Sequence, residues 1–334
     1  MNKIILTAVG GNTDETVALV QEPTPTPGAD EVLVAVEAAP VNNADLLFAA
    51  GWFGVYPQVP NAMGAEGVGR VVAVGAGVSS SLVGERVLVL PTFVQGTWAD
   101  QVVVPAGNVV PVTGKADPLQ LAMLPVNPAT AYSLLHDYVE LRAGDWVGID
   151  MANSAVGQYV IALAKKAGVN VLAVVRREET VPLVRELGAT LVVVDGEDLG
   201  DRVAQALDGK QLRLLLEGVG GTEPLEQLAR SVEAGGTVVA FSAATGQSPA
   251  LPLADLIYRG VVLRSFFILN WIRTTPRAEL ERIYAELAEL VEQDVINATV
   301  EATYPLAKHQ EALAHAARTG RTGKILFVPA GTTR

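Results

Sequence analysis

Hydrophobic residues in the first third of the chain form short runs that Gly and Pro interrupt. Val32–Val36, Gly69–Val74 and Glu85–Leu90 are predicted strands of this kind, each followed within a few residues by a turn signal. From residue 1 to about 120 this rhythm persists. Closely spaced short strands favour a barrel or a partly open sheet, so we expect a small β domain here.

From about residue 122 the apolar runs alternate with segments of helical periodicity, which predicts a parallel sheet covered by helices on both faces. Six predicted strands would complete a doubly wound α/β sheet. They are Trp146–Asp150, Val171–Val175, Leu191–Asp195, Leu212–Leu216, Thr237–Phe241 and Val261–Phe266. The helix after the first strand is predicted to end at Gly168, and its expected buried face consists of Val156, Val160, Leu163 and Ala167.

A last long helix is predicted behind Pro276, which suits the first turn of a helix. Apolar residues then recur at helical spacing, and they predict a stripe that packs into a core. The stripe consists of Leu280, Ile283, Tyr284, Leu287, Leu290 and Val291.

Composition narrows the function classes. The chain has 334 residues, half of them apolar, which is enough for two hydrophobic cores. Its net charge is −12 and no block of Lys or Arg interrupts the acidity, so we expect no nucleic-acid partner. No apolar run approaches the roughly 18 residues of a membrane span, and Ile4–Leu6 is too short for a signal-peptide core. We therefore expect a cytoplasmic protein without a membrane partner.

The turn after the first predicted α/β strand has the features of a pyrophosphate site. Trp146–Asp150 leads through Asn153 and Ser154 into a helix that includes Gly157. The first backbone N–H groups of a helix have no internal acceptor and attract anions. The G-x-G-x-x-G pattern is degraded, because Ser154 and Ala155 stand near its tight-turn and close-approach positions, but small residues still permit the approach.

Two arginines point to the identity of the dinucleotide. Arg176 and Arg177 end the second predicted strand about 20 residues beyond Gly157, where an NAD enzyme carries an acidic residue for the ribose 2′-hydroxyl. Two guanidinium groups suit a 2′-phosphate, so NADPH is the expected cofactor. The alternative is a solvated arginine pair that Glu178 and Glu179 partly neutralise.

Several segments resemble the medium-chain dehydrogenase/reductase superfamily over essentially the whole chain. They are Val41–Asp45, Gly64–Gly67, Val71–Gly75 and Gly323–Leu326. The resemblance implies a GroES-like β-barrel catalytic domain at residues 1–121 and 271–334 and a Rossmann domain at residues 122–270. In zinc-dependent members a histidine and cysteines hold the metal, whereas here Ala65 precedes Glu66 and the chain has no Cys. We therefore expect no metal site.

Within that superfamily the sequence is most similar to the mitochondrial-type 2-enoyl thioester (enoyl-CoA/enoyl-ACP) reductases. The matching segments are Ala39–Asp45, Gly96–Trp98, Val126–Tyr132, Asn153–Gln158 and Phe266–Trp271. The resemblance implies that seven residues face the cofactor, namely Asn127, Asn153, Ser154, Val156, Arg176, Phe267 and Lys324. Gly157 and Arg177 join them from the turn and the arginine pair described above.

The catalytic loop departs from this family. The tyrosine that donates a proton in the family follows a glycine by two residues, and here Phe53 stands at that position after Gly51. Tyr56, three residues on, is the candidate replacement, with an aromatic pocket wall as the alternative. Asn42 is a candidate for orienting the substrate or the nicotinamide, and Asp45 and Glu66 are either acid/base groups or buried carboxylates that hold loops.

The predicted function is NADPH-dependent reduction of the carbon–carbon double bond of a 2-enoyl thioester. An NADPH:quinone or enone reductase on the same fold is the main alternative, because the expected tyrosine is missing. A non-catalytic NADPH-binding protein is a rival from another class. We further expect a homodimer, since the apolar run Val261–Leu269 is predicted at the edge of the nucleotide sheet.

Overall fold

The computed structural model describes residues 1–92, 94, 96–242, 244–321 and 323–329. The chain divides into two compact units. The first unit comprises Met1–Val126 and Thr275–Arg334, and the second comprises Asn127–Thr274. These limits lie a few residues beyond the expected boundaries at 121/122 and 270/271.

The helices and strands are numbered along the chain. The strands are β1 (Asn2–Leu6), β2 (Val17–Gln21), β3 (Glu31–Pro40), β4 (Asn61–Ala62), β5 (Gly67–Val74), β6 (Arg86–Val89), β7 (Gln101–Pro105), β8 (Val109–Pro111), β9 (Trp146–Ile149), β10 (Asn170–Val175), β11 (Leu191–Val194), β12 (Leu212–Glu217), β13 (Val232–Ala240), β14 (Val262–Ser265), β15 (Val300–Tyr304) and β16 (Lys324–Phe327). The α-helices are α1 (Thr13–Thr16), α2 (Asn43–Ala49), α3 (Pro118–Leu121), α4 (Asn127–His136), α5 (Ala155–Lys166), α6 (Val181–Leu187), α7 (Leu199–Leu207), α8 (Glu223–Ala229), α9 (Leu253–Ile257), α10 (Ile268–Thr274), α11 (Arg277–Glu292) and α12 (His309–Ala317).

The first unit is built on mostly antiparallel strands. In its described part, β15, β16, β3, β5, β6 and β8 follow one another in a sheet, β7 pairs with β3, and β2, β1 and β4 form a smaller sheet. Gly69 in β5 shows why glycine interrupts these strands. A Cβ there would lie 2.2 Å from the carbonyl oxygen of Ala35 in β3, so only glycine permits this close pairing.

The pairing of β16 with β3 brings a late segment of the chain to the start of the catalytic loop. Leu326 and Phe327 pair with Pro40 and Ala39, and the amide of Val41 donates to the carbonyl of Ile325 at 2.9 Å. Beside this pair the fully buried rings of Trp98 and Phe327 lie 5.2 Å apart, and Trp98 Nε1 donates to the Pro40 carbonyl at 3.1 Å. Lys324 is thereby fixed near Asn42.

Helix α11 packs against the core of the first unit as its periodicity predicts. All six residues of the predicted stripe are buried, with Tyr284 and Leu287 fully so. Pro276 precedes the first turn of the helix, where its fixed φ and missing N–H do no harm.

In the described part of the second unit, six parallel strands form one sheet in the order β11-β10-β9-β12-β13-β14. This is the predicted doubly wound arrangement, and each of the six predicted strands is present with its ends moved by a few residues. The strand order reverses between β9 and β12, the place where such sheets bind ligands at their carboxyl ends.

Two details of the second unit differ from expectation. In α5 the buried face runs over Gly157 and Tyr159–Ala164, whereas Val156 is half-buried and Ala167 is exposed, because the helix ends at Lys166. The apolar run at the sheet edge forms a strand only over β14, since the chain enters α10 at Ile268.

No helix among the described residues is both long enough and apolar enough to cross a lipid bilayer.

Candidate active site

Asp45 fixes the loop that carries Asn42. Asn42 is the N-cap residue of α2, and its backbone N–H donates to Asp45 Oδ2 at 2.8 Å. The other oxygen, Oδ1, accepts from the amide of Ala65 at 3.0 Å, so one buried carboxylate joins the α2 loop to the segment that precedes Glu66. Burial raises the pKa of Asp45 to about 6 against the effect of these hydrogen bonds.

In the first unit, hydrogen bonds connect the side chains of Glu66, Asn42 and Lys324 in that order. Asn42 Nδ2 donates to Glu66 Oε1 at 2.6 Å, and Lys324 Nζ donates to Asn42 Oδ1. Glu66 Oε2 accepts from the amide of Val126 at 2.8 Å. A single amide therefore lies between a carboxyl group and an ammonium group, and Asn42 and Glu66 are both buried.

Burial shifts the pKa values of Glu66 and Lys324, the two outer groups of this hydrogen-bonded set, towards neutral pH. Desolvation raises the pKa of Glu66, with the Lys324 charge and the Asn42 hydrogen bond acting in the opposite direction. Desolvation lowers the pKa of Lys324, which the charges of Glu66 and Asp45 oppose. Each group thus stabilises the charged form of the other in a site that water does not solvate well.

Tyr56, the candidate proton donor, has no hydrogen bond to this cluster. Its side chain is 69% exposed, and its ring lies against the backbone of Gly51. Phe53 is half-buried in the same loop. No hydrogen bond joins the Tyr56 hydroxyl to Asn42 or to another residue of the described ranges.

The turn between β9 and α5 has the local geometry of an anion site. Ser154 is the N-cap residue, and its hydroxyl accepts from the amide of Gly157 at 3.1 Å. A Cβ at Gly157 would lie 2.4 Å from the carbonyl oxygen of Ala152, so glycine is required for the helix to start this close to the turn. Asn153 accepts at its carbonyl from Gln158 Nε2 at 3.0 Å and completes the turn.

The two arginines of the sequence prediction have different positions. Arg176 lines a pocket at the carboxyl ends of the strands, together with Met151, Asp195 and Val219, whereas Arg177 is not among the lining residues. Within the described ranges neither arginine forms an ion pair with Glu178, Glu179 or another carboxylate. Arg176 is thus the better placed of the two for a phosphate.

The remaining candidates of the second unit lie at helix starts. Asn127 is the first residue of α4, and Phe267 directly precedes α10, where its carbonyl accepts from the amide of Trp271 at 3.0 Å. Both side chains are half-buried, as is Val156 in the first turn of α5.

Two buried carboxyl groups were not predicted from the sequence. Asp150 follows β9 and Glu217 ends β12, the two neighbouring strands at which the strand order reverses. Asp150 Oδ1 accepts from the amide of Gly218 at 2.6 Å, but Asp150 Oδ2 and Glu217 Oε2 have no partner among the described residues. The available signal was an acidic residue at the end of each of two largely apolar strands.

Desolvation and the neighbouring Glu217 charge raise the pKa of Asp150 to about 8. Burial also raises the pKa of Glu217. At neutral pH Asp150 is therefore mostly protonated, which avoids two adjacent buried negative charges.

Comparisons with known proteins place the chain in a family. Residues 28–114 match the alcohol dehydrogenase GroES-like domain, and residues 155–321 match the zinc-binding dehydrogenase domain. The mitochondrial enoyl-[acyl-carrier-protein] reductase of Xenopus tropicalis is 32% identical over 86% of this chain and 84% of its own length. The chain belongs to the medium-chain dehydrogenase/reductase superfamily. It is an oxidoreductase of that superfamily.

Solved structures share the fold over almost the whole length. A quinone oxidoreductase of Pseudomonas syringae is 26% identical, with a TM-score of 0.87 and coverage of 98% of this chain and 99% of its own. A mycobacterial protein solved in complex with NADPH is 27% identical, with a TM-score of 0.85 and coverage of 98% and 100%. The superfamily member described here has the same α/β architecture of a GroES-like domain and a Rossmann domain.

The zinc-binding name of the second domain model does not extend to a ligand set in this chain. Ala65 precedes Glu66, and the sequence contains no cysteine. Among the described residues no group of three or more His, Asp or Glu side chains is arranged to hold a metal ion.

The raised pKa of Asp150 generates a prediction for stability. A carboxyl group whose pKa is raised on folding contributes stability below its unfolded pKa of 3.8, and this contribution is lost as pH rises through about 8. We expect Asp150→Asn, which keeps the acceptor for Gly218, to reduce this loss by at least the roughly 1.4 kcal/mol of one pKa unit. Thermal unfolding from pH 5 to 9 measures it.

Asp201→Asn is the matched control, because it makes the same change at an exposed carboxylate of the same unit that does not act on the pKa of Asp150. If Asp150→Asn loses stability with rising pH as steeply as the unmodified protein, the assignment of the proton to Asp150 is wrong.

Proposed function

We propose that this oxidoreductase uses NADPH to reduce the carbon–carbon double bond of a 2-enoyl thioester. When bound, NADPH supplies a hydride from C4 of its nicotinamide to the β-carbon of the substrate, and the α-carbon then takes a proton. The proposal is supported by the enoyl reductase relative, which aligns with most of the chain.

The residues of the second unit fit a phosphorylated dinucleotide. Ser154 and Gly157 shape a helix start whose outer amides suit a pyrophosphate, and Arg176 lies in the pocket at the end of β10. The mycobacterial relative was solved with NADPH. We propose that Arg176 binds the 2′-phosphate and that five further residues contact the rest of the cofactor, namely Asn127, Asn153, Val156, Phe267 and Lys324.

The single observation that carries the reductase proposal is the buried contact between Asn42 and Lys324. Reduction of a conjugated carbonyl places negative charge on the carbonyl oxygen. Preorganised donors in a desolvated site stabilise such a charge more strongly than water does. An ammonium and an amide that hold each other in place supply such donors.

A quinone or enone reductase is the second candidate. It is favoured by the exposed position of Tyr56, because a quinone is protonated on oxygen and needs no donor aimed at carbon. The quinone oxidoreductase from Pseudomonas syringae shares the fold. If neither class of substrate is reduced, the non-catalytic NADPH-binding protein is favoured instead.

A substrate panel separates these functions. We expect NADPH oxidation to be faster with crotonyl-CoA than with a benzoquinone or a simple enone at saturating cofactor. If Tyr56 donates the α-proton, Tyr56→Phe should lower crotonyl-CoA turnover by the roughly 10² to 10⁴-fold of general acid catalysis and leave quinone turnover unchanged.

Phe53→Tyr is the companion variant. It should raise thioester turnover only if the side chain at position 53 faces the reacting carbon. Thioester turnover that is unaffected by Tyr56→Phe would remove Tyr56 from the catalytic residues. A quinone rate above the crotonyl-CoA rate would replace the thioester proposal by the second candidate.

Arg176 is expected to determine the preference for NADPH over NADH. Arg176→Ala should weaken NADPH binding by roughly 1.5 to 3 kcal/mol, the range for a hydrogen bond to a charged group, and leave NADH binding nearly unchanged. Titration of cofactor fluorescence measures both affinities. Arg177→Ala makes the same change in charge outside the pocket and should have a smaller effect; equal NADPH and NADH affinities in the unmodified protein would contradict the assignment.

We also propose that two copies associate through the edge of the nucleotide sheet. Among the described strands β14 has only β13 as a neighbour, and Val262 in β14 is 46% exposed. The α9 region, which precedes β14, exposes Leu253, Ile257 and Tyr258 as well. An unpaired edge in an apolar stretch of surface favours pairing with a second copy. The expected result is a continuous sheet across a homodimer.

Sedimentation velocity tests this assembly. Val262→Lys should weaken association by at least about tenfold, or roughly 1.4 kcal/mol. Val72→Lys, at a similarly exposed strand position of the first unit, is the control and should leave association unchanged. A monomer at all concentrations of the unmodified protein would refute the dimer.

A further inference from the structure

Glu66 has no part in the proposed chemistry, yet it is fully buried and both of its oxygens are used. Oε1 accepts from the side chain of Asn42, and Oε2 accepts from the backbone of Val126. These partners belong to different segments of the first unit. A buried carboxyl group with this connectivity requires a reason beyond packing, since burying it is costly.

We propose that Glu66 is a positioning residue that fixes the amide of Asn42 with its oxygen towards Lys324 and so holds the Lys324 ammonium in place. The catalytic consequence of this inference rests on the proposed function. The positioning itself does not.

The chemistry of the three side chains allows one orientation. A donor faces each oxygen of Glu66, and these two hydrogen bonds and the Lys324 charge favour the ionised carboxylate, whereas an ammonium only donates hydrogen bonds. Asn42 therefore has to turn Nδ2 towards Glu66 and Oδ1 towards Lys324, as observed. The reversed amide would place two acceptors together at Glu66 and two donors together at Lys324, in surroundings that cannot offer water instead.

Glu66 also holds the segment that leads into the second unit. The amide of Val126 donates to Glu66, and the carbonyl of Pro125 accepts from the hydroxyl of Tyr284 in α11 at 3.0 Å. Tyr284 is fully buried. The next residue along the chain is Asn127, a proposed cofactor contact. One carboxylate thus fixes both the Asn42 amide and the start of this segment.

Glu66→Gln is the direct test because it keeps the size of the side chain and removes one acceptor. The new amide would face two donors, Asn42 Nδ2 and the Val126 N–H, with one oxygen and one NH₂ group. Either Asn42 reverses its amide or a donor remains without an acceptor. If Asn42 reverses, its NH₂ group faces the Lys324 ammonium and that hydrogen bond is lost. If Asn42 keeps its orientation, Lys324 still loses the carboxylate charge that favours its ammonium form. In both cases the Lys324 amine should become more reactive towards acylation.

The double variant Asn42→Asp/Glu66→Gln exchanges the amide and the carboxylate between the two positions and so restores the hydrogen bonds. The amide nitrogen introduced at position 66 can donate to the carboxylate introduced at position 42, while the amide oxygen accepts from Val126. The same carboxylate can also accept from Lys324. Net charge and the number of hydrogen bonds are then unchanged. A residue that merely fills space would gain nothing from this exchange, so rescue by the double variant identifies the positioning role.

The primary measurement is the rate at which an N-hydroxysuccinimide ester acylates Lys324 in the full chain, followed by peptide mass spectrometry. The exposed Lys308 serves as the internal standard. We expect Glu66→Gln to raise the Lys324 rate at least fivefold relative to Lys308, and the double variant to return it to within twofold of the unmodified protein. An unchanged rate in Glu66→Gln, or no recovery in the double variant, overturns the proposal.

Glu37→Gln is the matched control. It makes the same isosteric change at a carboxylate that pairs with Arg86 at 2.7 Å in the same unit, away from Asn42. It should leave Lys324 acylation unchanged even if it lowers the unfolding temperature. A rise equal to that of Glu66→Gln would show that loss of stability explains the effect and would refute the proposal.

A second measurement separates this inference from the proposed function. If Lys324 contacts the cofactor, Glu66→Gln should raise the NADPH Kd about tenfold and the double variant should recover it. Absence of turnover with crotonyl-CoA and with quinone in the unmodified protein would reject the proposed function, whereas the acylation result would still decide the role of Glu66.

Discussion

A desolvated amide between a carboxyl group and an ammonium is the interaction on which the rest of the catalytic unit depends. Asn42 can make both hydrogen bonds only while Glu66 and Lys324 stay on opposite sides of it. This requires β16 to lie beside the end of β3, and the buried Trp98 and Phe327 rings fix that pairing. Packing in the first unit thus holds these three polar side chains at hydrogen-bonding distance. One that was buried without a partner would lower the free energy of unfolding by several kcal/mol.

The second unit solves a related problem differently. At the strand-order reversal, Asp150 and Glu217 bring two carboxyl groups together, and each has an oxygen without a partner among the described residues. Here a retained proton reduces the repulsion. The first unit therefore tolerates buried charge by pairing it, and the second by neutralising it. Because this neutralisation depends on a bound proton, the repulsion between the ends of β9 and β12 depends on pH.

Periodicity made most of the fold predictable, because the apolar runs of the six sheet strands and the stripe of α11 each reflect burial on particular faces. Element ends were less predictable, since an apolar run cannot show where β14 gives way to a helix. The contact between Asn42 and Lys324 joins residues 282 positions apart, and no local pattern encodes it. Family resemblance named both residues without indicating that they touch. Asp150 and Glu217 escaped prediction because strand pairing, which local sequence does not specify, makes them neighbours.

The position of β16 late in the chain has a consequence for biosynthesis. Residues 127–274 contain all the described strands of the nucleotide sheet, so the sequence of this sheet is complete before the later residues are translated. The first unit cannot complete its fold during this time, because the hydrogen-bond partner of Asn42 is Lys324, which is synthesised 282 residues later. During that interval the end of β3 lacks its partner strand and the Trp98 ring lacks Phe327. In the nascent chain, a segment made early therefore keeps surface exposed to chaperones and to aggregation until one of the last strands is made.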